Sequence, residues 1–267
     1  MDFFAPALRV LDTPMETPTL YGWFHLLWVG ITIAVTVFLC LWQKRSETSH
    51  HRKVILWTAI VVLVLEVYKQ INFGFSYEGG VSFDYAWYAF PFQFCSTPMY
   101  VGLLAGLTKP GKIHDALCAY LATFAVFAGL CVMLYPGDVF IRTIGINIQT
   151  MVCHGSMIII GVYLLATGYV KISHKTIFKA AAVFAVCVGL AVVMNEIAYV
   201  TGLLQTDTFN MFYVSRHCDP HLPVYSLVQP LLPFPLDLVV YIAGFSLAAY
   251  IILLIAMGIK NTLHKKT

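Results

Sequence analysis

The residues best able to do chemistry in this chain are a cysteine and a histidine on two separate apolar segments: Cys95 in FPFQFCS and His154 in NIQTMVCHGSM. A thiol is nucleophilic only as its thiolate, and a neutral imidazole within reach can take the proton, so the two could form a dyad that attacks an acyl carbon. Pro91 suits the first turn of a helix, which would put Cys95 one turn inside a helix N-terminus, where the dipole favours an anion. Pro98 cannot make the ordinary contact with the carbonyl of Phe94, so a kink beside the thiol is expected, with room for a ligand. Packing alone also accounts for a cysteine in a kinked helix, and hydrogen bonds within a bundle also account for a buried histidine. Cys153 is a competing nucleophile. Its side chain should point ~100° away from that of His154 around the helix, so the two are not expected to face one cavity.

Further polar residues fall at nearly the same depth of their segments: His25, Glu66, Lys69, Gln93, Gln149, Asn195 and Glu196. Polar groups inside a membrane are costly unless paired, so coplanar ones point to a shared cavity. Glu66 and Lys69, at i and i+3, are expected to pair, either for structure or around a lipid headgroup. Asn195 either cross-links helices or donates to a developing oxyanion. His25, in YGWFH, is an interfacial residue or a substrate contact.

The elements that must position these groups are membrane helices. With 60% hydrophobic residues, 11% charged residues and a mean hydropathy of +0.80, the chain does not have the surface of a soluble globule. Apolar segments run over about residues 22–42, 54–75, 92–108, 116–135, 148–170, 180–200 and 236–259. Each is near the ~20 residues needed to cross the hydrocarbon, the third being shortest. The expectation is an all-α, polytopic membrane protein: one domain over residues 1–267, folded as a seven-transmembrane-helix bundle. Most Lys and Arg residues lie in the loops after segments one, three and five and in the C-terminal tail. The positive-inside rule then puts the N-terminus outside and the C-terminus in the cytoplasm. A net charge of +3 suits contact with anionic lipid headgroups and gives no nucleic-acid face. The first twenty residues lack an apolar signal core, so no cleaved signal peptide is expected.

The loops at 77–90 and 201–235 are rich in aromatic residues, which suits a headgroup belt or a rim guiding an amphiphilic substrate. Gly102 and Gly106 form a GxxxG that predicts close helix packing. The seven cysteines form no CxxC and no metal-type spacing, so no metal is expected, and Cys40, Cys118, Cys131 and Cys187 are expected to pack as small hydrophobes.

At these residues the sequence resembles a family. FPFQFCS is similar to the LPLHLCS-type motif of bacterial YwaF-type integral membrane proteins and of their eukaryotic relative, transmembrane protein 164, a cysteine-dependent phospholipid acyltransferase. YGWFH is similar to the family's first-helix histidine signature, Glu66 to an acidic position in its second span, and YPGDVF to its PDL element. CHG with His154 follows Cys95 at close to the family's cysteine-to-histidine spacing. Asn195, FNMFYV with Asn210, and LLPFPLDLVVY resemble its NYMFL and PWPWY region. Gln93 stands where the motif has a histidine, and PFPLD lacks both tryptophans, so details of substrate recognition do not carry over. The resemblance implies acyl transfer between membrane phospholipids and lysolipids in a bacterial cell membrane, through a thioester on Cys95 with His154 moving the proton. It implies no cofactor. His25, Glu66, Lys69, Gln93, Asn195 and Asn210 are the candidate substrate contacts. Two other functions fit the same polar residues: a transporter or proton-coupled carrier, and a haem held between His25 and His154.

Overall fold

In the computed structural model the described residues are 9–76, 81–202, 208–219, 222 and 224–264. Tyr77 of the first aromatic loop and Lys265 and Lys266 of the basic tail lie outside them. Apolar runs without interior proline form long helices, giving an all-helical chain: α1 (Trp23–Arg45), α2 (His51–Gly74), α3 (Thr97–Leu107), α4 (Lys112–Leu134), α5 (Ile144–Ala166), α6 (His174–Thr201) and α7 (Leu236–His264). Among the described residues, six of these are long and apolar enough to cross a membrane; α3 is not. Lys44 and Arg45 close α1, where cations suit the negative end of the dipole. Gly202 ends α6 at φ +60°, a left-handed position that glycine takes without a Cβ clash.

The third segment departs from the sequence expectation. No helix starts at Pro91 and none kinks at Pro98: α3 begins at Thr97, with Pro98 in its first turn. There the missing N–H costs nothing and the ring avoids the carbonyl of Phe94. Residues 91–96 turn instead, the amides of Ser96 and Thr97 both donating to the carbonyl of Gln93 at 2.9 and 3.1 Å. The 11 residues of α3 rise only ~16 Å, about half of a hydrocarbon core. The segment is nevertheless pinned to both ends of α2. Gln70 Nε2 donates to the carbonyl of Ala89 at 2.9 Å, and Arg52 Nη2 donates to that of Leu107 at 3.1 Å. Between Arg52 and Gln70 α2 rises ~27 Å, so residues 89–107 run along most of its length, the first part as non-helical chain.

Small residues set the helix spacing. A Cβ on Gly102 would come 3.1 Å from that of Ala59, and one on Gly106 2.6 Å from that of Leu56, so the GxxxG lies flat against α2. Midway along α4, Leu121–Ala125 forms a π-helical turn. Gly161 of α5 lies against this turn; a Cβ there would meet the Leu121 carbonyl at 2.6 Å. Phe94, Phe124, Phe184, Phe212 and Tyr241 form a continuous aromatic core joining the third segment to α4, α6, the following loop and α7.

Gly161→Ala is therefore expected to lower thermal stability in detergent by about 1–3 kcal/mol through overpacking. Gly189→Ala, with open space around the added methyl, should hold or raise the unfolding midpoint.

Candidate functional site

The site is organised by an ion pair whose carboxylate is buried and whose ammonium is partly exposed. Lys69 Nζ lies 2.8 Å from Glu66 Oε1, with the side chains 17% and 5% exposed. A buried carboxylate needs further hydrogen bonds to offset desolvation, and Glu66 has them. Gln70 Nε2 donates to its Oε1, and Gln149 Nε2, from α5, donates to its Oε2 at 3.1 Å. The hydroxyl of Tyr85 in turn donates to Gln70 Oε1. Burial, followed by the Glu66 charge, raises the pKa of that phenol, so it stays a donor at neutral pH. Gln70 was not singled out from the sequence, although its i, i+4 spacing from Glu66 is a signal that could have found it. Tyr85 stands among the aromatic residues of the 77–90 loop, read as a headgroup belt or substrate rim; its bond to Gln70 is a role that reading did not give.

Cys95 sits two residues before α3. It lines a small, partly open pocket of about 30 Å³, together with Val62, Ala59 and Ile55 of α2, Gly102 of α3, and Cys153 and Ile160 of α5. Cys153 is thus the thiol brought beside Cys95, its Sγ 3.8 Å from the Cys95 carbonyl. His154, the next residue on α5, is not among the cavity-lining residues. Its Nδ1 is 2.7 Å from the carbonyl of Thr150 and must therefore donate, which leaves Nε2 as a bare acceptor in the neutral ring. That Nε2 is buried and has no hydrogen-bond partner. The Lys69 ammonium lies within electrostatic reach of both Cys95 and His154. Lys69 thus bears on both groups, but the thiol lines the pocket and the imidazole does not, and no hydrogen bond joins them.

Above Cys95 the chain between α6 and α7 folds back into the bundle. Asn195 holds the backbone of Met211 from both sides: its Nδ2 donates to the Met211 carbonyl at 3.0 Å, and its Oδ1 accepts from the Met211 amide at 2.8 Å. Gln93 does the same one residue either side, donating to the Asn210 carbonyl at 2.9 Å and accepting from the Phe212 amide at 2.8 Å. Tyr241 donates to the Phe212 carbonyl at 2.8 Å. These bonds hold Phe212 and Tyr213 at φ +57° and +56°, a conformation that bulky residues rarely adopt. Asn195 is therefore engaged with backbone through both of its side-chain polar atoms. Asn210 is not: its Oδ1 accepts from the Ser215 amide, while its Nδ2 is buried without a partner.

The remaining candidates are elsewhere. His25 is fully buried, donating from Nε2 to the Met133 carbonyl at 2.9 Å and accepting at Nδ1 from the Tyr21 amide at 3.0 Å. With both nitrogens engaged it ties the start of α1 to the end of α4 and has none left to hold a haem iron. Glu196 faces outward and pairs with His217 at 3.0 Å. The aromatic belt is divided: Tyr88 and Phe234 are exposed, whereas Phe209, Phe212 and Tyr225 belong to the core.

Six helices long and apolar enough to cross a membrane, packed around a small apolar pocket with thiols in its wall, mark a polytopic integral membrane protein. Residues 20–257 match the family model of the TMEM164 family, and the chain belongs to that family. No curated protein and no solved structure matches it.

Replacing either amide that holds the inserted segment should loosen it locally. Asn195→Ala or Gln93→Ala is expected to speed hydrogen exchange at the Met211 or Phe212 amide, respectively, by about tenfold, as for the loss of one buried hydrogen bond. Exchange in α2 should not change.

Proposed function

We propose that this chain is a bacterial cell-membrane lipid acyltransferase of YwaF type, crossing the bilayer seven times with its N-terminus outside and its C-terminus in the cytoplasm. The non-helical stretch and α3 together make the third crossing, a reading supported by the bonds that tie Ala89 and Leu107 to opposite ends of α2. The observation that supports the activity is the placement of Cys95: a thiol in the wall of a largely apolar pocket, within electrostatic reach of the Lys69 ammonium, with the bare Nε2 of His154 on the same helix as the pocket-lining Cys153.

In the first half-reaction the Cys95 thiol loses its proton to His154 Nε2 and the sulfur attacks the ester carbonyl of a phospholipid. The C–S bond forms, the C–O bond breaks, and the lysolipid oxygen leaves with the proton from His154. In the second, His154 removes the proton of an acceptor lysolipid hydroxyl. That oxygen forms the new ester as the C–S bond breaks, and the sulfur recovers its proton. The proton transfers need the two groups in hydrogen-bond reach or one water apart, a contact made in the substrate complex. Lys69 stabilises negative charge at the thiolate and on the lipid phosphate, and Asn210 Nδ2 donates to the carbonyl oxygen as it becomes an oxyanion. Glu66 positions Lys69. With water as acceptor the same path is hydrolysis. No step requires a metal or organic cofactor.

A carrier is the second reading, and one feature favours it. A second polar cluster lies at the inner end, where His51 bonds Thr167 at 2.9 Å and His114 bonds Tyr169 at 2.8 Å. The largely apolar cavity between the two clusters gives a polar solute or proton few relay groups, which argues for acyl transfer. Solute uptake into vesicles driven by a proton gradient would establish the carrier instead.

In reconstituted vesicles, Cys95→Ala is expected to reduce acyl transfer at least ~10³-fold while the protein still folds. Cys153→Ala should leave it largely intact; the reverse pattern would assign the nucleophile to Cys153. His154→Ala should lower transfer ~10²–10⁴-fold and suppress labelling of Cys95 by a lipid-like electrophile.

A further inference from the structure

Two thiols, those of Cys95 and Cys153, line the same pocket, and the acyl-transfer path uses only the first. The Cys153 thiol donates to the Cys95 carbonyl at 3.8 Å. That oxygen lies ~2.4 Å from its own Cα by bond geometry, which puts the Cys153 sulfur within about 6 Å of the Cys95 Cα. A disulfide needs the two Cβ atoms ~3.8 Å apart. The remaining approach falls to the chain around Cys95, which turns before Thr97 and has no helix to break, while Cys153 is held in α5. The pocket also limits what can reach the pair. It offers about 30 Å³ and is partly open. A water-sized molecule needs ~10–15 Å³ of such space, so there is room for about two oxygen atoms, the size of hydrogen peroxide.

We propose that Cys95 and Cys153 form a peroxide-reactive dithiol: hydrogen peroxide oxidises Cys95 to a sulfenic acid, and Cys153 converts it to a Cys95–Cys153 disulfide. The geometry assigns the two parts. The Cys153 S–H is engaged by the Cys95 carbonyl, which keeps that sulfur a thiol. Cys95 is the less buried of the two, and the Lys69 ammonium, within electrostatic reach, stabilises negative charge on it. In the first step the Cys95 thiolate attacks one peroxide oxygen. The S–O bond forms, the O–O bond breaks, and the departing hydroxide takes up the proton released by Cys95 to become water. In the second, the Cys153 sulfur attacks the Cys95 sulfur. The S–S bond forms, the S–O bond breaks, and the hydroxide leaves as water with the Cys153 proton. Two thiols are oxidised and one peroxide is reduced to two waters. The disulfide stands without the proposed acyl transfer; that oxidation switches transfer off rests on that reading.

The test uses full-length protein in detergent, treated with hydrogen peroxide, quenched with N-ethylmaleimide, digested and read by mass spectrometry. The expected product is a peptide pair joined through Cys95 and Cys153, returned to two alkylatable thiols by dithiothreitol. Cumene hydroperoxide carries the same O–O bond on a bulkier group and should oxidise the pair at least ~10-fold more slowly. In Cys153→Ala, peroxide should carry Cys95 on to the sulfinic acid, which dithiothreitol does not reverse. Acyl transfer should accordingly be lost and recovered on reduction in wild type, and lost without recovery in the variant. The wild-type arms decide alone if the variant does not fold. Both thiols still open to alkylation after peroxide, or sulfinic acid on Cys95 in wild type in place of the disulfide, would overturn the inference. Equal oxidation by cumene hydroperoxide would overturn the assignment of the pocket to the small oxidant. The disulfide in a protein that transfers no acyl group, or that transfers as well oxidised as reduced, would retain the dithiol and remove the enzymatic reading. Acyl transfer by a protein that forms no disulfide would do the opposite.

Discussion

The arrangement around Cys95 depends on the ion pair of Glu66 and Lys69, whose carboxylate is buried. Two charges at this depth are tolerated only because Gln70 and Gln149 satisfy the remaining carboxylate lone pairs, so α2 and α5 cannot slide or rotate past one another without stranding a charge. That constraint fixes the level of His154, five residues beyond Gln149 on α5, relative to Lys69. Gln70 carries the same constraint outward to Ala89, and so to the segment that delivers Cys95. One ion pair thus sets the depth of the thiol, the imidazole and the ammonium together.

Around this centre the fold uses small, local departures from regular helix to make room. The third segment gives up helix before Thr97, which exposes the thiol to the cavity instead of burying it in a helix flank. The π-helical turn of α4 shifts its wall against Gly161, and π turns of this kind recur at functional sites. The outer end is closed by the segment around Met211, held in left-handed geometry by two side-chain amides acting as backbone partners. Arg216 and Tyr225 anchor its far side through the fully buried Asp237 at the head of α7, at 3.1 Å each.

Much of this was legible in the residues. Long apolar runs located six helices to within about six residues at each end, and the i, i+3 spacing of Glu66 and Lys69 gave their pairing. The small residues of α3 gave its close packing on α2. The third segment was misjudged because hydropathy reports apolar chain, helical or not, and two prolines seven residues apart offer two helix starts. The structure uses the second. The role of Asn195 was legible as polar cross-linking but not as a clamp on Met211, since its partner is backbone and leaves no side-chain signature. Phe209 and Phe212 looked like headgroup aromatics by their place in a loop, but that loop turns inward and its rings complete the core. The π turn has no marker in the sequence: no proline or glycine interrupts Leu121–Ala125.

The most direct measurement of the account is the covalent intermediate itself. Purified protein would be mixed with a phospholipid carrying an isotope-labelled acyl chain, quenched in acid, digested and read by mass spectrometry. The account predicts the labelled acyl group on the peptide containing Cys95, released by hydroxylamine and absent in Cys95→Ala. Turnover of the lipid with the label on Cys153, or with no labelled cysteine even when the acceptor is withheld, would contradict it.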